Sequence, residues 1–70
     1  MTSPTTQRRF AVRLKAVRAK RGMTQEALAK KAGISRGYLL RLEAGRQDPT
    51  LGTVDRLAKA LKVKVGELVE

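Results

Sequence analysis

The sequence contains no cysteine, no histidine and no tryptophan, and its aromatic residues are Phe10 and Tyr38 alone. Without cysteine there are no disulfides and no thiolate nucleophile. Without either Cys or His the usual zinc ligand sets are missing, and imidazole acid–base catalysis is excluded. Two aromatics are too few for a stacking platform that would hold single-stranded nucleic acid. No apolar run approaches the ~20 residues of a membrane span. The first ten residues lack the apolar stretch of a signal peptide. These absences point to a reducing, cytoplasmic setting. They leave no constellation for an enzyme and imply no cofactor and no metal.

Acid is also scarce. Six Asp and Glu face sixteen Lys and Arg, for a formal charge of +10 over 70 residues. The excess is uneven. Residues 1–22 hold seven basic groups and no acid; residues 23–46 hold five and two; residues 47–70 hold four of each. Two thirds of the chain is suited to a polyanion, and phosphate is the first partner to consider. The last third is electrically balanced and can meet a like surface without repulsion.

A chain of this length forms one small domain. The residue pattern predicts five helices and no sheet. Residues 1–7 are read as a flexible arm, with Thr6 as an N-cap. A first helix follows from Gln7 to Arg21, with Phe10, Leu14 and Val17 on one face and Gly22 as its stop. Thr24 caps a second helix containing Ala27, Leu28, Ala29 and Ala32, which Gly33 ends. Ile34 is placed in the turn. Ser35 caps a third helix, about Arg36 to Ala44, that turns Leu39 and Leu42 inward and stops at Gly45. Pro49 breaks the chain. Thr50 or Thr53 begins a fourth helix, in which Leu51, Val54, Leu57, Ala58 and Leu61 keep helical spacing. The alternation from Lys62 to Val65 has the look of a strand, but a lone strand has no partner. A short fifth helix from about Val65 is preferred.

Two short helices around a Gly-containing turn, from Thr24 to Leu42, have the spacing of a helix-turn-helix. Ala29 is small where the helices cross, Gly33 can take the turn, Ile34 fills the space beneath, and Ser35 leaves the third helix's N-terminus facing outward.

Beyond that motif, the chain resembles the Cro/CI-type (XRE) helix-turn-helix family of DNA-binding regulators. The likeness is carried by Leu14 to Ala29, Gly33-Ile34-Ser35, Leu42-Glu43-Ala44-Gly45-Arg46, Pro49-Thr50-Leu51 and Leu57 to Leu61, and covers about residues 8–70. The resemblance implies an all-α, lambda-repressor-like domain with helix 3 in the DNA major groove. It implies a bacterial or phage-encoded, nucleoid-associated transcriptional regulator, most often a repressor, bound to a pseudo-palindromic operator.

Roles follow residue by residue from the same resemblance. Arg36, Gly37, Tyr38, Leu40 and Arg41 fall at positions that approach bases. Arg36 and Arg41 are suited to guanine or, alternatively, to phosphate. Tyr38 either touches the DNA or packs toward helix 1. Thr24, Gln25, Arg46 and Gln47 fall at phosphate-contacting positions, Gln25 alternatively bracing the start of helix 3. Arg18 and Glu43 match a structural ion pair between helix 1 and helix 3. Arg8 and Arg9 either embrace DNA as an arm or are simply disordered.

One reading helix covers few base pairs, so a homodimer is expected. Val63, Val65, Leu68 and Val69, in the balanced last third, are its expected interface. A restriction–modification controller or an antitoxin would share this chemistry. The contrasting class is a protein-interaction module that has lost DNA binding.

Overall fold

The computed structural model describes residues 4–70. It contains five α-helices in chain order, α1 (Pro4–Lys20), α2 (Gln25–Ala32), α3 (Arg36–Glu43), α4 (Leu51–Leu61) and α5 (Gly66–Val69), and no strand among the described residues. The preferred helical reading of the C-terminal segment holds. No helix among the described residues is long and apolar enough to cross a membrane.

The first helix departs from expectation. It starts at Pro4, so residues 4–7 of the supposed arm are helical and Thr6 lies inside the helix rather than capping it. Proline suits a first helical position, where its missing N–H has no partner to lose. Residues 1–3 lie outside the described residues. A tertiary bond also fixes this turn: Gln7 Nε2 donates to Asp48 Oδ1 at 2.6 Å.

The caps explain the other boundaries. Thr24 Oγ1 accepts from the Ala27 N–H, Ser35 Oγ from the Tyr38 N–H and Thr50 Oγ1 from the Thr53 N–H, each at 3.0–3.1 Å. Each such cap stabilises its helix by about 1 kcal/mol. At the other ends, four helices close with the same pair of backbone bonds, a 6→1 bond beside a 5→2 bond. In α2 these are Ile34 N–H to Ala29 O and Gly33 N–H to Lys30 O. This closure needs one left-handed residue. Gly22, Gly33 and Gly45 supply it at φ of 69–72°, but α4 uses Lys62 at φ 59°. No glycine announced that turn in the sequence.

All five helices contribute to one core. Leu14, Leu28, Leu39, Leu42, Leu57, Leu61 and Leu68 are fully buried, with Phe10, Ala29, Ala32 and Val54 beside them. Val17, Met23, Ile34, Tyr38 and Val63 pack around the edge. Met23, Ile34 and Val63 each sit one residue past a left-handed closure, where a hydrophobic contact commonly seals the helix end.

Three corrections follow. Leu51, assigned to the core stripe of the fourth helix, is 91% exposed. It stands in the first turn of α4, beyond the edge of the core that Val54 begins. Leu68, assigned to an intermolecular interface, is wholly inside this chain. Val63 is half-buried against the same core. Only Val65 and Val69 of that expected interface are exposed.

Lys62→Gly is expected to raise stability by about 1 kcal/mol, because a left-handed non-glycine residue carries a penalty of that order. Thermal unfolding with intact far-UV helicity checks it; the melting temperature should rise by several degrees.

Candidate nucleic-acid interface

The third helix divides cleanly. At 100° per residue, Arg36, Leu40, Gly37 and Arg41 fall within an arc of about 140°. All four are exposed, whereas Leu39, Leu42 and Glu43 on the other side are buried and Tyr38 is half-buried. The outward arc therefore offers two guanidinium groups, one apolar side chain and one bare backbone position. The Ser35 cap leaves the N-terminal end of the helix open to solvent.

Arg41 does not hang free. Its Nε donates to Gln47 Oε1 at 3.3 Å, and its guanidinium carbon lies 5.9 Å from the centroid of the Tyr38 ring. These contacts draw the side chain along the outer edge of α3 toward the loop after it. Exposed cation–aromatic contacts of this kind contribute only about 0.5–1 kcal/mol. Their effect here is positional: they reduce the rotamer freedom that Arg41 would lose on meeting a ligand. Gln47, expected as an independent phosphate contact, is thus tied to Arg41.

Tyr38 itself packs inward, and its hydroxyl reaches α4. Its ring is half-buried against the core, and its hydroxyl lies 3.4 Å from Thr53 Oγ1, which also receives the Thr50 hydroxyl at 2.9 Å. This side chain is turned from the outward arc and supports Arg41 from beneath. Gly37 has no close neighbour except Arg41 Nη1, 3.7 Å from where a Cβ would stand.

The strongest constellation lies under the helix. Glu43 is 3% exposed. Arg18 Nε donates to its Oε2 at 2.7 Å and Arg18 Nη2 to its Oε1 at 3.1 Å, a forked pair joining α1 to α3. Arg18 Nη1 also donates to the Met23 carbonyl at 2.8 Å, which fastens the loop between α1 and α2. Gln25, the first residue of α2, adds Nε2 to Glu43 Oε1 at 2.9 Å. One carboxylate thus gathers three helices. The expected pair of Arg18 and Glu43 is present, and Gln25 belongs to it rather than standing free for phosphate. Sequence spacing did not place Gln25 there, because the contact spans 18 residues and closes only when α2 crosses α3.

Electrostatics explains why the cluster needs all its members. Glu43 ends α3, where the helix dipole already presents negative charge. A carboxylate there, taken out of water, requires a cation and full hydrogen bonding. Among the described residues no buried side-chain nitrogen or oxygen is left without a partner.

The other expected phosphate contacts are accessible. Arg46 is exposed just past the closure of α3, and Thr24 is exposed although its hydroxyl oxygen serves the cap. Arg8 and Arg9 are exposed on α1 rather than carried on an arm.

With this geometry established, comparison with known proteins is informative. A helix-turn-helix family model (HTH_3) matches residues 14–68. The chain belongs to this helix-turn-helix family. It is 44% identical over 57 residues to the immunity repressor protein of Bacillus phage phi105, matching 81% of this chain and 40% of that one. It therefore spans well under half the length of that repressor. It is also 41% identical over 56 residues to an uncharacterized HTH-type transcriptional regulator of Methanocaldococcus jannaschii, matching 80% of this chain and 85% of the relative. Among solved structures, the restriction-modification controller protein C.AhdI from Aeromonas hydrophila superposes with a TM-score of 0.89 at 33% identity, over 91% of this chain and 97% of that one. An HTH_3 family transcriptional regulator from Vibrio cholerae gives 0.91 at 28% identity, over 96% of this chain and 38% of the other.

Glu43→Ala is expected to cost about 3–5 kcal/mol, because it leaves the Arg18 guanidinium without its charge partner. Glu43→Gln keeps the shape and should cost less, about 1–3 kcal/mol. Urea unfolding of the three proteins checks the order; equal midpoints would show that the cluster does not hold the helices.

Proposed function

We propose that this protein is a sequence-specific, double-stranded DNA-binding transcriptional regulator, acting in the cytoplasm and most simply as a repressor by occluding a promoter. The observation that carries this reading is the outward arc of α3. Arg36 and Arg41 flank a glycine and a leucine on a rod held rigidly from behind, on a domain of charge +10. An α-helix fits the major groove, arginine is the side chain best matched to guanine O6 and N7, and leucine suits a thymine methyl. Gly37 lets backbone approach closely. Arg46, Gln47 and the basic residues of α1 supply contacts to phosphate, which position the helix without reading sequence.

A single α3 spans too few base pairs for high specificity. The operator is accordingly read as two half-sites in pseudo-palindromic order, bound by a homodimer with centres ~34 Å apart or a multiple of that. The names of the relatives, a phage immunity repressor and HTH-type regulators, accord with this class. Within it, a restriction–modification controller is the reading favoured by the match to C.AhdI over 97% of that chain. Binding to DNA upstream of a linked restriction gene would separate that role from one in phage immunity.

Selection of bound sites from random duplex tests the proposal. It should yield G·C-containing half-sites with two-fold symmetry. Binding to the selected site should exceed binding to random duplex by at least ~10³ and fall steeply with salt. Equal affinity for both would overturn the reading. Arg41→Ala should relax base preference at one position in each half-site. Gly37→Ala should stabilise the isolated helix by roughly 1 kcal/mol yet weaken specific binding, since its Cβ would stand between backbone and DNA; calorimetry and anisotropy on the same variant report both effects.

A further inference from the structure

The last third of the sequence is balanced in charge, but in space its charges are segregated. Helix α4 packs beside α2, and between them lies an open hollow of about 290 Å³ lined by Lys31, Ala32, Arg56, Lys59 and Ala60. A second hollow of about 230 Å³ shares Lys31 and Ala60 and runs on to Arg21, Met23, Leu61 and Lys62. Five cations and no acid line the pair. Arg56, Lys59 and Lys62 are three of the four basic residues in 47–70, and none of the four acids of that segment lines either hollow. All five cations are exposed, whereas Ala32, Ala60 and Leu61 are buried beneath them. The result is a furrow with an apolar floor and basic rims. We propose that this furrow docks an acidic amphipathic segment, in helical form, of a partner protein. The site goes beyond the DNA reading and does not rest on it: no lining residue belongs to α3 or to the set expected to meet DNA.

Charge and floor together select the occupant. The rims call for anions. Among the described residues Arg21, Lys31, Arg56 and Lys62 make no ion pair, and Lys59 has only the exposed Asp55 at 3.2 Å, a partner easily exchanged. Arg56 and Lys59 stand one turn apart along α4 and Lys31 faces them from α2, so carboxylates on both flanks of a helix would find a cation. The floor calls for apolar groups. An apolar cavity of ~150 Å³ holds a six-carbon ring, so the larger hollow has room for a leucine-sized side chain. Half-buried Met23 is an adaptable surface for such a contact. A phosphate backbone has nothing apolar to place there, and a small anion would need donors drawn out of water. A second copy, at +10, would bring net repulsion to a wholly basic rim. A helix with acidic flanks and an apolar edge satisfies rim and floor at once. The furrow's far end is also held: Arg21 Nη2 donates to the Lys62 carbonyl at 3.3 Å, which draws the end of α1 to the end of α4.

Fluorescence anisotropy with the full chain tests the proposal at physiological salt, where exposed charges more than about 8 Å apart are largely screened. The probe is a labelled synthetic helix of ~15 residues of Glu, Ala and Leu, with its leucines on one face. It should bind the wild type with a Kd of ~100 μM or tighter. Lys31→Glu with Arg56→Glu should raise that Kd at least ~10-fold. Arg9→Glu with Arg13→Glu makes the same charge change on α1 and should raise it less than about threefold. All four positions are exposed, so both variants should keep their helicity. A probe with serine in place of each leucine should bind at least ~10-fold more weakly. A wild type that does not bind, an equal loss in both variants, or equal binding of the serine probe overturns the proposal. Titration of the selected duplex is a separate readout. The Lys31 and Arg56 variant should lose no more duplex affinity than the α1 variant; a larger loss would assign the furrow to DNA phosphate and overturn the proposal. A chain that binds the peptide as described but no duplex leaves this site standing and removes the DNA reading.

Discussion

The structure depends on one buried carboxylate. Glu43 sits at the end of α3 with its charge out of water and its helix dipole against it, and it is stable there only because Arg18 and Gln25 come to it. Arg18 reaches it from α1, Gln25 from the start of α2, and Arg18 also binds the chain between those helices at Met23. Three elements are thereby set in one arrangement. Apolar packing around Leu14, Leu28, Leu39 and Leu42 drives the helices together, but such packing tolerates small rotations and slides. A forked guanidinium–carboxylate contact tolerates them poorly, because both of its bonds are directional. The cluster therefore fixes where the outer face of α3 points more than it adds net stability.

That division extends across the molecule. The side of α3 facing the cluster is apolar or hydrogen-bonded and carries no sequence-reading chemistry. The opposite side carries Arg36, Gly37, Leu40 and Arg41 and almost no packing. Tyr38 mediates between them, its ring in the core and its face beneath Arg41. Charge follows the same plan along the chain, with the cationic excess in the first two thirds and balance in the last.

Much of this was legible in the residues. Thr24 and Ser35 before helical stretches, and Gly22, Gly33 and Gly45 after them, mark boundaries because caps and left-handed closures are local chemistry, while the choice between Thr50 and Thr53 is settled by the bond from the Thr53 N–H to Thr50 Oγ1. The outward set on α3 followed from the family resemblance, except that Tyr38 is half-buried with its hydroxyl at Thr53 of α4. Other features depended on tertiary geometry that spacing does not carry. Leu51 keeps helical register with Val54 and Leu57 yet faces solvent, since no neighbouring element reaches over the first turn of α4. In α5, four residues are too few to show a period, so nothing local distinguished buried Leu68 from exposed Val69. Gln7 and Asp48 are polar residues in polar stretches, and only the return of the chain brings them together. Lys62 takes the conformation that glycine takes elsewhere, compelled by the closing bonds of α4. Gln25 reads in the sequence as a phosphate contact or a brace for the start of α3, because its acceptor, Glu43, lies at the other end of that helix.

Reversing both outward arginines, Arg36→Glu with Arg41→Glu, and titrating labelled duplex of the selected sequence against the folded variant tests the central claim most directly. Both side chains are exposed and neither belongs to the Glu43 cluster, so helicity should be retained. The account requires specific duplex affinity to fall by at least ~10³-fold, to the level of random sequence or below. Unchanged affinity and unchanged preference between specific and random duplex would contradict it.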